Sequence, residues 1–180
     1  MRVISGTARA THLEAPEGDS TRPTTDRIKE TLFNMISFDM PQCELLDLFS
    51  GSGAISIECL SRGGSRAVLV EKDKKAIEII KKNLDRTHLK DKAVIIEMDV
   101  INALDNLEGN KFDIVFMDPP YSLANIEIIL QKIVNNDFLA ENGYIILERS
   151  TNTIVKLPQN LVLWKEKKYK TTTLSFIRKG

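Results

Sequence analysis

The sequence holds few of the residues that mark disulfide-rich or metal-binding proteins. It has two cysteines, Cys43 and Cys59, and two histidines among 180 residues. Because the cysteines form no CxxC motif and the histidines no cluster, we expect neither a disulfide framework nor a metal site. Cys59 lies in an apolar helical pattern, which favours a place in the core over a role as a catalytic thiol.

Long apolar runs are missing as well. No stretch approaches the roughly 18 apolar residues that a membrane-spanning helix needs. The opening residues 1–12, MRVISGTARATH, contain no apolar core of the kind found in signal peptides. We therefore expect a cytoplasmic protein with no membrane partner.

An excess of charge of one sign is the third absence. The 25 basic residues balance the 25 acidic residues, so the formal net charge is zero. This argues against non-specific binding of a polyanion by the whole surface, although a local basic patch is compatible with it. Such a patch, or simply a solvated face, is formed by Lys165, Lys167, Lys168, Lys170, Arg178 and Lys179.

The apolar residues that are present, 42% of the chain, come in periodic blocks. We predict one domain over residues 1–180, with an N-terminal arm and helix over 1–40 and a core over 41–180. The pattern predicts a small hairpin or extended arm over 1–15, a turn over 17–20, and a helix over 24–38 with Thr24 or Thr25 as its N-cap.

Strands and helices then alternate along the chain. Strands are predicted at 45–49, 67–70, 94–96, 112–117 and 144–147, helices at 54–62, 74–87 and 126–134 with a short one through Leu107, and a closing hairpin of strands at 161–169 and 173–177. Continuous apolar strands between amphipathic helices indicate a mostly parallel sheet covered on both faces. The fold class is therefore α/β, doubly wound, with an antiparallel hairpin at one edge.

Four acidic residues fall at or near the ends of successive predicted strands: Asp47, Glu71, Asp99 and Asp118. In a doubly wound sheet, ligands bind at the carboxyl ends of the strands. One acidic residue at a strand end means little, whereas four at the same edge predict a binding site.

A glycine turn follows the first strand, with Gly51 and Gly53 four and six residues after Asp47. Glycines there let a ligand approach the backbone at a helix N-terminus. A dinucleotide fingerprint would have a third glycine where Ser56 stands. Because Asp47 would repel a pyrophosphate and attract an ammonium or a sulfonium, we predict S-adenosylmethionine as the cofactor rather than NAD.

Two of the acidic residues have predicted roles in holding that cofactor. Glu71, twenty-four residues after Asp47, is placed to accept hydrogen bonds from a ribose diol. Asp99 is placed to meet the adenine amino group, or alternatively to cap the helical stretch that begins at Val100. Both roles of Asp99 can hold at once.

The most specific motif is the tetrapeptide of Asp118, Pro119, Pro120 and Tyr121. Two prolines after a buried strand withhold amide donors and leave carbonyl oxygens exposed. The Asp118 carboxylate and the Pro119 carbonyl would accept hydrogen bonds from an exocyclic amine of a base. Tyr121 offers a face for base stacking, worth about 1–3 kcal/mol. The chemistry predicted is methylation of a base amine.

With these motifs the chain resembles class I methyltransferases of the amino-methylating branch, and more closely the RsmD family of bacterial 16S rRNA guanine-N2 methyltransferases. The resemblance covers nearly the whole chain. Its most telling part is residues 21–27, TRPTTDR, which lead into KETLFN at 29–34. The opening RVISG at 2–6 and the DPPY tetrapeptide also fit. The N-terminal arm departs from the family in its modest basic content, since Glu14, Glu17 and Asp19 offset Arg9 and Arg22.

The resemblance implies a Rossmann-like, seven-stranded sheet whose last hairpin inserts an antiparallel strand. It also implies methylation of the 2-amino group of one guanine in 16S rRNA on an assembling small ribosomal subunit. The small size and neutral charge of the chain predict a monomer. The predicted cofactor-binding residues are Asp47, Phe49, Gly51, Gly53, Glu71, Lys72, Asp99, Val100 and Asp118. The predicted substrate-binding residues are Arg22 and Tyr121.

Other functions compete with this one. Adenine-N6 DNA methyltransferases and protein-glutamine methyltransferases use a similar pocket, but more often have Asn where Asp118 stands, and the former carry a target-recognition domain for which 180 residues leave no room. A non-catalytic RNA-binding assembly factor would not need Asp47, Glu71 and Asp118 together. A nicotinamide oxidoreductase is disfavoured by Ser56 and Asp47.

Overall fold

A computed structural model describes residues 1–16, 26–120 and 126–180. The predicted turn at 17–20 and the predicted N-caps Thr24 and Thr25 lie outside the described residues. The N-terminal arm forms the small hairpin predicted for it, with an antiparallel bridge between Arg2 and His12. The Val3 amide donates to the Thr11 carbonyl and the Ala10 amide to the Val3 carbonyl, which closes the hairpin.

The described helices follow the predicted apolar periodicity. They are α1 (Asp26–Met35), α2 (Ala54–Ser61), α3 (Lys74–Thr87), α4 (Val100–Asn106) and α5 (Ile126–Asn135), with short 3-10 helices at Ser37–Asp39 and Lys90–Lys92. Where one helix was predicted to Phe38, α1 ends at Met35 and the chain tightens into the first 3-10 helix, a common way for a helix to end. The tighter turn brings Asp39 under Tyr144, whose hydroxyl donates to Asp39 Oδ2 at 2.7 Å.

The described strands form one sheet of seven in the order β3-β2-β1-β4-β5-β7-β6. They are β1 (Glu44–Asp47), β2 (Arg66–Glu71), β3 (Ala93–Glu97), β4 (Phe112–Met117), β5 (Leu139–Ser150), β6 (Leu161–Lys168) and β7 (Thr172–Lys179). Strands β1 to β5 pair in parallel. This is the mostly parallel sheet of the predicted fold class.

The closing hairpin lies at the edge next to β5, as predicted. Strand β7 runs antiparallel to both of its neighbours and is inserted between β5 and β6. The outermost strand, β6, therefore points the same way as the parallel strands. Its carboxyl end meets the carboxyl ends of β1, β4 and β5 at the same side of the sheet.

One strand is much longer than its apolar run. Residues 144–147 were predicted, but β5 spans Leu139–Ser150. The register against β4 shifts between Phe112 and Ile114, which absorbs the polar residues 141–142 as an irregularity. A Cβ at Gly143 would lie 2.7 Å from the Phe112 carbonyl oxygen, so this close pairing needs a glycine.

Apolar side chains cover both faces of the sheet. One cluster joins the N-terminal arm, α1 and α2 to one face, and the other joins α4 and α5 to the opposite face. Both cysteines are buried in the first cluster, which confirms the core position predicted for Cys59. No helix within the described ranges is long and apolar enough to cross a membrane.

A fully buried carboxylate, Glu58 on α2, ties the N-terminal arm to the core. Its Oε2 accepts from the Ile4 amide at 2.8 Å and its Oε1 from the Ser5 amide at 3.0 Å. Arg62 Nε donates to Oε1 at 2.8 Å, and Lys29 Nζ lies 3.4 Å from Oε2. Lys29 is itself fully buried and donates to the Arg2 carbonyl at 2.6 Å. Burial lowers the pKa of Lys29, against the nearby charge of Glu58.

A second buried polar side chain, Asn83 on α3, holds the end of the arm. Its Oδ1 accepts from the Glu14 amide at 2.8 Å, and its Nδ2 donates to the Glu14 carbonyl at 3.0 Å. The same Nδ2 donates to the Ser52 carbonyl at 2.9 Å. The amide of Asn83 thus joins the arm, α3 and the glycine turn.

Candidate active site

The glycine turn between β1 and α2 leaves room for a ligand. Gly51 and Gly53 have φ of 53° and 76°, a region that favours glycine. A Cβ at Gly53 would lie 3.3 Å from Leu69 Cδ2, so packing also restricts that position. A Cβ at Gly51 would meet nothing within 4 Å among the described residues. The Gly51 side of the turn is therefore open.

Asp47, at the end of β1, is buried with 1% of its surface exposed. Its Oδ2 accepts from Ser56 Oγ at 2.8 Å, while its Oδ1 has no hydrogen-bond partner in the described part of the chain. Burial raises the pKa of Asp47 to about 7, with a further rise from Glu71, and the bond from Ser56 opposes the shift. Ser56, noted in the sequence only as a missing glycine, is what holds this carboxylate.

Glu71, at the end of β2, organises the backbone of two loops. Its Oε2 accepts from the Gly51 amide at 2.9 Å, and its Oε1 accepts from the amides of Lys72 and Asp73, each at 2.9 Å. Lys72 itself is exposed. Glu71 thus fixes the glycine turn and the start of α3, while contact with a ribose diol stays a prediction.

Asp99 caps α4, as one of its two predicted roles requires. Its Oδ1 accepts from the Ile101 amide at 2.9 Å. The carboxylate is exposed, so its contact with an adenine stays a prediction. The neighbouring side chains pack into the second apolar cluster, Val100 as a buried member and Phe49 as a half-buried one. Val100 is therefore available to a ligand mainly through its backbone.

Asp118 follows β4 and lies beside two other carboxylates. Burial raises the pKa of Asp118 well above its ordinary value, and the charges of Glu148 and Asp47 raise it further. In the sheet, Phe116 pairs with Asp47 on one side and with Ile146 on the other. The three carboxylates therefore follow the same face of β1, β4 and β5.

Glu148 is the site residue that the sequence analysis missed. It is buried, with 8% of its surface exposed. It directly follows the predicted strand 144–147, as Asp118 follows β4, so its position after an apolar run was a usable signal. The result is a cluster of three carboxyl groups, two of them with raised pKa values, whose ionised forms a cationic ligand would stabilise.

The other predicted site residues differ in how far the structure places them. Pro119 is buried and Pro120 is exposed. Arg22 and Tyr121, predicted to bind substrate, lie outside the described residues. In the described ranges no group of three or more His, Cys, Asp or Glu side chains is arranged to hold a metal ion.

Comparison with known proteins decides the family. The family described as Conserved hypothetical protein 95 matches residues 1–178. The chain belongs to it. This is the RsmD family to which the sequence motifs pointed. The protein YlbH of Bacillus subtilis is similar to this RsmD family member, with 38% identity over 184 residues, 99% of each chain.

Two further relatives bear on sequence and fold. The Escherichia coli ribosomal RNA small subunit methyltransferase D is 34% identical over 168 residues, covering 93% of this chain and 84% of its own. The solved structure of the Escherichia coli protein yhhF superposes with a TM-score of 0.89 at 30% identity, covering 99% of this chain and 97% of that one. The fold of this RsmD family member is that of class I methyltransferases.

Proposed function

We propose that this chain transfers a methyl group from S-adenosylmethionine to the exocyclic N2 amine of a guanine in small-subunit ribosomal RNA. The observation that carries the proposal is the row of three carboxylates, buried Asp47 and Glu148 with half-buried Asp118, beside an open glycine turn. The names of two relatives support the choice of substrate. The proteins of Haemophilus influenzae and Escherichia coli, each 34% identical to this chain, are both called ribosomal RNA small subunit methyltransferase D.

The residues at the carboxyl edge fit the proposed cofactor. Asp47 Oδ1 is buried without a partner among the described residues, and a cation would satisfy it. Asp47 and the open Gly51 turn would hold the charged amino acid end of the cofactor, and Glu71 and Asp99 its nucleoside end. When bound, S-adenosylmethionine supplies a methyl group activated by its sulfonium.

The role of Asp118 is to orient the acceptor amine. The lone pair of a guanine 2-amino group is delocalised into the ring, which makes it a weak nucleophile. Hydrogen bonds from its two N–H groups to the Asp118 carboxylate and the Pro119 carbonyl would hold the nitrogen facing the methyl group. Positioning of this kind can lower a barrier by roughly 7–11 kcal/mol. The transfer is direct, with no covalent intermediate on the protein.

No strong base is needed before transfer, because the amine becomes acidic only as it is alkylated. Asp118 is then placed to receive the proton. The base must leave its stack, or be unstacked already in an RNA loop, to reach this edge of the sheet. Tyr121 would stack on it.

A methyl-transfer assay tests the proposal. Labelled S-adenosylmethionine is incubated with small-subunit particles that lack their own modification, and the product is digested to nucleosides. We expect labelled N2-methylguanosine. Labelled N6-methyladenosine would support the proposed site and overturn the proposed substrate. Cofactor binding with no transfer to RNA would redirect the proposal to a DNA or protein acceptor.

The first prediction concerns Asp118. We expect Asp118→Ala to abolish turnover but to retain cofactor binding, which is measured by thermal shift. Asp118→Asn keeps one acceptor oxygen and should retain part of the activity. Turnover near that of the wild type in Asp118→Ala would remove the orienting role.

A further inference from the structure

The basic residues near the C-terminus separate into two groups in the structure. Lys168 Nζ lies 3.9 Å from Glu166, and Lys179 bridges to Asp137. Lys165 and Lys167 form no ion pair with a carboxylate of the described residues. Two charges of the sequence patch are thus partly neutralised, whereas the other four, on Lys165, Lys167, Lys170 and Arg178, have no carboxylate partner in the described part of the chain.

Lys165 and Lys167 share the face of the sheet that carries the site carboxylates. Along one row of paired residues, Lys167 lies beside Leu174, which lies beside Glu148, and Glu148 is level with Asp118. Along the row before it, Lys165 pairs with Phe176. The residue between them, Glu166, points to the opposite face, where it binds Arg149 at 2.7 Å.

Aromatic rings hold two cations at this edge. Lys165 Nζ lies 5.6 Å from the centre of the Phe176 ring, and the Arg178 guanidinium carbon lies 5.4 Å from the centre of the Trp164 ring. Trp164 is half exposed, and its ring packs edge-on against Tyr144 at 5.8 Å. A register shift between Leu163 and Lys165 makes Trp164 the extra residue of a bulge, which turns its side chain to this face.

The distance from this edge to the site would let the cations contact nucleotides that neighbour the reacting nucleotide. Three strand spacings separate Lys167 from Asp118, or about 14 Å. That is longer than the screening distance of about 8 Å at physiological salt, so the cations would act by contact rather than by attraction at long range. An RNA strand whose base enters the site brings phosphates towards three carboxylates, which repel them.

We propose that Lys165, Lys167 and Arg178, on the outer strands β6 and β7, bind the phosphates of the RNA strand that flanks the target base. The proposal rests on the proposed function. A different explanation of the lysines is that charge on an edge strand prevents pairing with another chain. Substitution by glutamate separates the two explanations, because it keeps the edge strand charged and reverses the sign of the charge.

The test compares Lys165→Glu/Lys167→Glu with a matched control, Lys82→Glu/Lys92→Glu. The control changes the net charge equally at exposed lysines of α3 and of the 3-10 helix before β3. Binding to unmodified small-subunit particles and steady-state methyl transfer are measured over a range of salt concentrations. Equal thermal unfolding of all variants is checked first. Lys165→Gln/Lys167→Gln serves as a milder second variant.

We expect the dissociation constant and KM of the β6 variant to rise at least about tenfold with kcat within about twofold, and its salt slope to fall by about 0.7 for each lost phosphate contact. The control should stay within about twofold of the wild type. Equal behaviour of the two double variants would overturn the proposal. If the wild type transfers no methyl group, the proposed function fails, and the binding comparison still decides whether this edge contacts RNA.

Discussion

Asp47 is a carboxylate that the fold buries and leaves with an unpartnered oxygen among the described residues. Such a group is costly to ionise without a cation nearby. Its environment is explained by the proposed ligand rather than by stability. The pH dependence of folding should reveal this.

The second prediction follows from the sign of the shift. The pKa of Asp47 is raised to about 7 in the folded protein, so between pH 4 and 7 the folded state holds a proton that the unfolded chain has lost. The contribution of Asp47 to the free energy of unfolding is fully present below about pH 4. It is lost as the pH rises to about 7, by up to about 4 kcal/mol. Asp47→Asn should flatten this slope in urea unfolding measured from pH 4.5 to 7.5. Asp118, also raised, adds slope of the same sign, so part of it should remain. An unchanged slope would count against the burial of charge at Asp47.

The third prediction concerns Glu148, whose charge raises the pKa of Asp118. Removing it in Glu148→Gln should move the acidic limb of the pH–rate profile to lower pH, because Asp118 must be ionised to accept from the amine. Glu141→Gln is the matched control, since Glu141 is an exposed residue of the same strand. A profile of Glu148→Gln that coincides with the control would show that Asp118 titrates independently of Glu148.

Some of the site could be predicted from the sequence because several of its residues lie at the ends of predicted strands. Asp47 and Asp118 each close an apolar run, and parallel strands bring such ends together. The partners of these residues could not be predicted, because they depend on packing between distant segments. Ser56 under Asp47 and the three amides that Glu71 accepts from are of this kind.

At the scale of elements, local periodicity was sufficient for α3 and β4, which the structure places at the predicted residues. It failed for β5, where residues 141–143 have the composition of a turn. Pairing with β4 overrides that preference, since the Phe112 amide donates to the Phe138 carbonyl at 2.7 Å and the register then shifts to continue the ladder. The identity of a partner strand is not contained in a local window.

The fourth prediction tests the attachment of the N-terminal arm. Glu58→Gln leaves Lys29 buried without its carboxylate, and loss of one partner of a buried pair costs about 3–5 kcal/mol. The loss, measured by denaturant unfolding, should be smaller near pH 10, because burial lowers the pKa of Lys29 and lets it become neutral. Glu44→Gln is the control, since its pair with Arg66 is exposed and should contribute less than about 1 kcal/mol.

Hydrogen exchange gives a second readout for the same variant. The amides of Ile4 and Ser5 bind Glu58 and should exchange faster in Glu58→Gln. Protection of both amides at the wild-type level would show that the arm is held by other contacts.

At the scale of the whole molecule, zero net charge coexists with a separation of charge along one face. Carboxylates gather at the centre of the carboxyl edge, and lysines gather at β6. A protein without a general excess of positive charge gains little binding free energy from electrostatic attraction to RNA of arbitrary shape. Its specificity would then depend on a preassembled substrate.

The fifth prediction is that methyl transfer is faster on small-subunit particles than on naked ribosomal RNA. The expected ratio of kcat/KM is at least about tenfold, equivalent to about 1.4 kcal/mol. The comparison uses both substrates from the same unmodified source at equal concentration. Equal rates would mean that RNA sequence alone selects the target.

The amide of Asn83 also has a consequence for the order in which the chain folds. It pairs with both backbone groups of Glu14 across a separation of 69 residues. The Glu14 end of the arm therefore lacks this partner until α3 has been synthesised, whereas Ile4 and Ser5 can bind Glu58 on α2 earlier. During synthesis this end of the arm must wait for α3, and we expect it to gain protection from hydrogen exchange later than the amides of Ile4 and Ser5.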